Sequence, residues 1–246
     1  MQQASPRIIK TKDYKEFSKK AASLIAGFVN LNPEAVLGLA TGSTPEGTYS
    51  ELINIYKKGE VDFSRISTIN LDEYVGLSSE HEQSYRYFMD TKLFDHININ
   101  KANTYLPDGM AKNIEQECED YEKTIKKLGY IDFQVLGIGT NGHIGFNEPC
   151  EYFSKKTVHT PLAISTIEAN SRFFDSYEDV PKTAISMGIA TIFKAKQILL
   201  LASGENKKQI MKEAFLDEIT PQIPASILQL HPNVTIIVDE EAGEYL

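Results

Sequence analysis

The sequence predicts an α/β domain with a mainly parallel sheet. Short apolar runs rich in Val, Ile and Leu show little alternation, as strands buried on both faces should. Longer amphipathic stretches separate them, the order expected when helices cover both faces of such a sheet. Glycines and polar residues collect directly after the runs, at the strand ends where open α/β sheets bind ligands.

Residues 36–40, 66–71, 133–138, 198–202 and 234–238 form the five runs and are expected at the centre of the sheet. Between them, Tyr14, Phe17, Ala21, Leu24, Ile25 and Phe28 recur at three- and four-residue steps, as do Ile114, Cys118, Tyr121, Ile125 and Leu128. These stripes are the core faces of helices, and their Tyr and Cys side chains are read as packing residues. At 246 residues, of which 41% are hydrophobic, the chain can bury one large core. No repeat, low-complexity tract or Pro/Gly/Ser linker divides it, so residues 1–246 are expected to form a single domain.

A net charge of −9, from 25 Lys plus Arg against 34 Asp plus Glu, repels nucleic acid and anionic membrane surfaces. An anionic ligand must therefore be held by local groups. The N-terminus lacks an apolar leader segment and no run is long enough to span a bilayer. Cys118 and Cys150 are far apart and match no metal spacing, which suits a reducing compartment and a cytoplasmic protein. His81, His96, His159 and His231 cluster with no evident ligands, and His143 and Glu148 do not have metalloprotease spacing, so no metal is expected.

Four junctions stand out. After the first run comes Thr41-Gly42-Ser43-Thr44-Pro45-Glu46. Thr44 is placed to cap a helix and Pro45 to occupy its first position, with backbone N–H groups at the helix start where an anion is favoured. A phosphate site and an ordinary strand-to-helix turn both account for this segment alone, and no Gly-Lys-Ser/Thr follows to make it a Walker loop. Ser203-Gly204-Glu205-Asn206-Lys207-Lys208 opens another helix. Two lysines in a first turn oppose the helix dipole, a cost of about 0.3–1 kcal/mol each that a bound anion offsets, though a solvated basic pair balanced by Glu205 fits too. The third junction, Asn70-Leu71-Asp72-Glu73-Tyr74, puts two carboxylates after a buried strand, where partial burial can set the pKa of a general base.

The fourth runs from Gly137 to Pro149 through Gly139, Gly142 and Gly145. It satisfies G-x-G-x-x-G, but Gly145 and Pro149 interrupt the helix a dinucleotide site needs, and no acidic residue follows about 20 positions on at a strand end. What remains is a glycine loop presenting His143 and Glu148, a pair suited to general acid–base work. No nucleophile elbow is present, and Ser43 and Ser203 have no base nearby in sequence.

With these segments in view, the chain resembles the glucosamine-6-phosphate deaminases over essentially its whole length. The matching motifs are Leu37-Gly38-Leu39-Ala40-Thr41-Gly42-Ser43-Thr44-Pro45, Asn70-Leu71-Asp72-Glu73-Tyr74-Val75-Gly76-Leu77, Ser84-Tyr85, Gly139-Thr140-Asn141-Gly142-His143-Ile144-Gly145-Phe146-Asn147-Glu148-Pro149 and Asn170-Ser171-Arg172-Phe173-Phe174. The resemblance implies a Rossmann-like sheet, no cofactor, and a reaction that turns glucosamine 6-phosphate into fructose 6-phosphate and ammonium. It assigns Asp72 as the base moving a proton between C2 and C1 through a cis-enolamine, and His143 as the ring-opening group, oriented by Asn141 and Glu148. Thr41, Gly42, Ser43, Thr44, Arg172 and Lys208 would hold the sugar phosphate. Residues 153–175 are a candidate mobile lid, and the sequence does not say whether the segment moves.

Many family members carry Asp where this chain has Asn141; the amide orients His143 without supplying charge. Hexameric members activated by N-acetylglucosamine 6-phosphate carry basic groups in the segment aligned with Val158, His159 and Thr160 and extend further at the C-terminus. Weak or absent activation and a monomer or small homo-oligomer are therefore expected. Two other functions share part of this pattern. A 6-phosphogluconolactonase would read a sugar phosphate without needing a carbon base, and a sugar-phosphate sensor would bind without turnover.

Overall fold

The computed structural model describes residues 5–246, leaving aside the side chains at 165, 169 and 173. Along the chain run β1 (Arg7–Thr11), α1 (Tyr14–Leu31), β2 (Val36–Leu39), α2 (Ser43–Lys57), β3 (Ser67–Asn70), β4 (Asp72–Tyr74), α3 (Tyr85–Lys92), β5 (Thr104–Tyr105) and α4 (Ile114–Lys127). There follow β6 (Phe133–Gly137), β7 (Val158–Pro161), α5 (Ile164–Asn170), β8 (Thr183–Ser186), α6 (Ile189–Ile192), β9 (Gln197–Ala202), α7 (Lys208–Leu216) and β10 (Val234–Asp239).

Seven strands form one parallel sheet in the order β1-β10-β9-β6-β2-β3-β5. The five apolar runs are its five inner strands, as expected, because a strand with neighbours on both sides and helices on both faces has no solvated surface to encode. On one face, α1 and α2 bury Phe17, Ala21, Ile25, Val29, Tyr49 and Leu52 against Leu37, Leu39, Val135 and Leu199. On the other, α4 and α7 bury Tyr121, Ile125, Ile210, Met211 and Ala214 against Leu136, Leu200 and Ile236. Both periodic stripes are thus core faces. Gly38 in β2 has no room for a side chain: a Cβ there would lie 2.1 Å from Gln134 Oε1 on β6.

The chain leaves β2 toward β3 and β5, then returns to build β6, β9, β10 and β1 on the other side. The order reverses between β2 and β6, and diverging connections leave a crevice at the strand ends there. A separate three-stranded antiparallel sheet, β4-β8-β7, stands beside this crevice. Its β4 follows β3 after Leu71 alone, so Asp72 enters the second sheet directly from the first. The second sheet carries a small core of Tyr74, Phe146, Leu162, Ile167, Val180 and Ala184.

Among the described residues, no helix is long and apolar enough to cross a membrane.

Candidate active site

At the first junction the helix begins two residues earlier than the cap reading has it. Helix α2 starts at Ser43, and Gly42, with φ of 100°, takes the N-cap place without a side-chain hydrogen bond. Thr44 is therefore no cap, and Pro45 is the third helical residue. Glycine supplies the left-handed backbone at low cost, and with no side chain folded over the helix start its amides remain available to an anion. Tyr14 on α1 steadies this turn from behind: its hydroxyl lies 3.1 and 3.0 Å from the Ser43 and Thr44 carbonyls and accepts from Gly47 N–H at 2.9 Å.

Alternation along β4 sends its two carboxylates opposite ways. Glu73 turns to the start of α3, accepting from the backbone N–H groups of Tyr74, Tyr85 and Arg86 at 2.9 Å each. Burial pushes Glu73 up to about 7 even against these three donors. Asp72 faces the crevice, 6% exposed. Burial, with the neighbouring Glu73 charge, pushes its carboxyl up to about 8.

After β6 no helix opens, which agrees with rejecting the dinucleotide reading; the loop turns back instead, through Gly142 (φ 85°) and Gly145 (φ 58°). The His143 ring folds over Gly139, where an added Cβ would come within 2.3 Å of it. A Cβ on Gly145 would lie 3.3 Å from Asp72 Oδ2, so the loop backbone comes close to the acid. Behind the histidine, Glu148 Oε2 accepts from Asn141 Nδ2 at 2.6 Å and lies 3.3 Å from His143 Nδ1. That last contact is within ion-pair range but lacks the alignment of a hydrogen bond. Asn141 Oδ1 also accepts from His143 N–H at 3.2 Å. Burial alone would raise the Glu148 carboxyl, but His143, Thr166 and Asn141 outweigh it and bring it to about 2.

These pieces line one cavity of about 460 Å³, bounded by Thr41, Gly42, Ser43 and Thr44 from the first turn, Asp72 from β4, and Asn141 and His143 from the glycine loop; Arg172 lines it as well. Glu148 stands behind its wall and reaches the cavity through His143. A wider depression of about 570 Å³ on the outer side of α2, lined by Tyr14, Glu46 and Ser50 among others, holds neither Asp72 nor His143.

Lys208 is placed differently from expectation. Its ammonium pairs with Glu205 at 3.3 Å and Glu244 at 3.2 Å, outside the cavity. Lys207 lines the cavity instead, donating to the Ile138 carbonyl at 2.7 Å. Residues 205–207 form a 3-10 turn and α7 starts at Lys208, so the two lysines diverge. Burial depresses the Lys207 ammonium to about 8. The solvated, balanced pair considered for this segment describes Lys208; the lysine that lines the cavity is Lys207. Ser203, Asn206, Tyr85, Asn170 and Thr166 also line the cavity; of these only Ser203 was weighed individually from sequence, and then as a nucleophile. Tyr85 and Asn170 lay within recognised motifs, whereas Thr166 belongs to a segment with no patterned signal. Among the described residues, no group of three or more His, Cys, Asp or Glu side chains is arranged to hold a metal ion.

A parallel sheet with acid, imidazole and cation gathered at its order reversal defines an α/β enzyme of small anionic substrates. The family model for glucosamine-6-phosphate isomerases/6-phosphogluconolactonase matches residues 11–237. A glucosamine-6-phosphate deaminase of Clostridium perfringens (strain SM101) is 57% identical over 240 residues, 98% of this chain and 99% of that protein. One from Halothermothrix orenii is 55% identical over 240 residues, covering 98% and 100%. The solved structure of a monomeric glucosamine-6-phosphate deaminase superposes with a TM-score of 0.95 at 43% identity, covering 98% of this chain and all of that one. A 6-phosphogluconolactonase from Trypanosoma cruzi reaches 0.78 at 19% identity over 100% and 99%, a likeness of fold alone. The chain belongs to the glucosamine-6-phosphate isomerase/6-phosphogluconolactonase family.

Proposed function

We propose that this enzyme converts glucosamine 6-phosphate and water to fructose 6-phosphate and ammonium. One observation carries the reading: a buried carboxylate, an imidazole backed by a carboxylate, and a cationic, amide-rich wall face the same sugar-sized cavity. The identity of the Clostridium and Halothermothrix relatives, both deaminases, supports the same choice.

The phosphate goes to the first turn of α2, with Thr41, Gly42, Ser43 and Thr44, and to Lys207 and Arg172. A dianion beside Lys207 offsets the desolvation that depresses its ammonium. Binding at this remote group orients the reacting carbons, so damage here lowers turnover as well as affinity. His143 takes the proton of the anomeric hydroxyl and returns one to the ring oxygen, giving the open aldehyde. Asn141 and Glu148 hold the imidazole in place for both transfers.

Asp72 then removes the C2 proton, and the C–H electrons form the C1–C2 double bond of the enolamine as the C1 oxygen gains a proton. The same carboxyl returns its proton to C1, leaving an iminium at C2. Water adds to C2 and ammonia departs, taken up as ammonium. A raised pKa makes Asp72 a stronger base than a solvated carboxylate, and an amino sugar arriving as the ammonium favours the ionised form beside it.

We further infer a single domain with residues 153–175 as its lid, a monomer or small oligomer, and a cytoplasmic location. The monomeric deaminase of similar structure supports the second of these, and two unpaired cysteines, Cys118 and Cys150, suit the last. The test is a coupled assay in which purified protein and glucosamine 6-phosphate release ammonium and fructose 6-phosphate in equal amounts. Hydrolysis of 6-phosphogluconolactone without ammonium release, or tight binding without turnover, overturns the assignment.

A further inference from the structure

Glu148 has two oxygens, and they are held from two different directions. Oε2 faces the glycine loop, toward Asn141 and His143. Oε1 accepts a hydrogen bond of 2.5 Å from Thr166 Oγ1. Thr166 is 7% exposed, lines the cavity, and sits on α5, 18 residues along the chain from the carboxylate it binds. The same helix ends at Asn170, whose Nδ2 donates to the Tyr74 hydroxyl on β4 at 2.8 Å. Arg172 stands two residues further on and lines the cavity too.

We propose that Thr166 is a positioning residue through which α5 fixes the plane of Glu148 and, by way of Glu148, the His143 imidazole. This rests on the ring-opening role given to His143 above. The terminal torsion of a glutamate is broad, with no steep staggered well to hold it. A donor on one oxygen leaves the carboxylate free to rock; donors on both oxygens define its plane. Hydrogen bonds to a charged acceptor are the strong ones, enough to select one orientation. The hydroxyl also helps hold this half-buried carboxyl in the anionic form that His143 requires behind it. Since α5 lies within the proposed lid and adjoins Arg172, the segment that meets the phosphate also sets the geometry of the proton-transfer group.

The competing explanation is that Thr166 simply fills space, and two substitutions rank oppositely under the two views. Thr166→Val keeps the shape and loses the hydroxyl; Thr166→Ser keeps the hydroxyl and loses a methyl. The expected result is a kcat about tenfold lower for Thr166→Val, the cost of a fraction of an ångström of misplacement, with KM within about twofold, and near-normal kcat for Thr166→Ser. A packing residue gives the reverse order, and a substrate ligand raises KM with kcat intact; either overturns the proposal. In a Glu148→Gln background, Thr166→Val should cost little further, whereas a full tenfold loss there shows that Thr166 acts independently of Glu148. The 15N-labelled imidazole of His143 provides a readout without substrate: its resonances should change in Thr166→Val and not in Thr166→Ser. That keeps the two readings apart, since absence of ammonium release from the wild-type protein sinks the deaminase assignment, and unchanged resonances in Thr166→Val sink the role of Thr166.

Discussion

The carboxyl of Asp72 is almost wholly removed from water, and the neighbouring Glu73 adds a like charge, so the fold favours its neutral form. Its pKa of about 8 stands above the ordinary 3.8, so between those values the native state keeps a proton that the unfolded chain has released. Stability therefore falls as pH rises from about 4 to about 8, then levels. Asp72→Asn removes the part of this dependence that Asp72 contributes, while the raised Glu73 carboxyl keeps its own. The variant's unfolding free energy should match wild type near pH 4 and exceed it by a growing margin up to pH 8, reaching a few kcal/mol at about 1.4 kcal/mol per pKa unit, with the thermal midpoint rising in step. The same variant should release almost no ammonium, a trade between stability and activity common to buried catalytic groups. Parallel melting curves across the pH range would contradict this. In the wild type, kcat/KM should climb through neutrality toward an acid limb near pH 8, since that ratio reports the free enzyme. The two lysines give a second residue-scale test. Lys207→Ala should raise KM for glucosamine 6-phosphate and cut kcat, each by tenfold or so, while Lys208→Ala leaves both within about twofold, as expected for exposed ion pairs. Steady-state kinetics of the two proteins decide it, and equal losses would return Lys208 to the site.

At the scale of elements, the turn into α2 and the glycine loop need glycine for different reasons, and substitution separates them. A Cβ on Gly42 meets nothing within 4 Å, but its φ of 100° is hostile to any side chain; Gly42→Ala should cost on the order of 1–2 kcal/mol and weaken phosphate binding as the turn relaxes. Gly139 has no such angle but no space, because the His143 ring occupies it. Gly139→Ala should displace the imidazole and lower kcat by roughly a hundredfold, with KM changed less. Chemical denaturation beside kinetics reads both outcomes. The same elements show what a sequence discloses. The inner strands were legible because burial on both faces leaves an uninterrupted apolar run, and the glycine loop because four glycines have no use in a helix or strand. Strand β1 has an exposed edge, β5 is two residues long, and β4, β7 and β8 form a small sheet with mixed polarity, so none of them carries such a run. Helix capping was misread by two residues because Gly42 replaces a side-chain cap with a backbone angle. The confusion of Lys208 with Lys207 has a related origin: where a 3-10 turn passes into α7, one step along the chain separates the cavity from solvent, and no periodicity marks the step. Thr166 reaches Glu148 only because α5 folds back over the loop, a contact encoded in the tertiary arrangement alone.

For the whole molecule, the question is whether its response to substrate is that of independent sites. Activation by a phosphorylated effector requires a second anion site whose occupancy favours one of two global states. In this chain Val158, His159 and Thr160 lie on β7, at the edge of the antiparallel sheet. The one titratable group among them, His159, stands 3.5 Å from Glu115 on α4; a carboxylate so close opposes a phosphate. The overall charge of −9 adds to that opposition at low salt. The expected behaviour is a monomer or small oligomer by light scattering, hyperbolic saturation by glucosamine 6-phosphate, and initial rates that N-acetylglucosamine 6-phosphate raises weakly or not at all. Competition at high effector concentration is compatible with this picture, because the analogue carries the same phosphate for the α2 turn and Lys207, and it should appear as a rise in apparent KM. Sigmoidal rates that become hyperbolic on adding the effector would instead require a second site and coupled subunits, and would overturn the view of β7 as a plain structural edge.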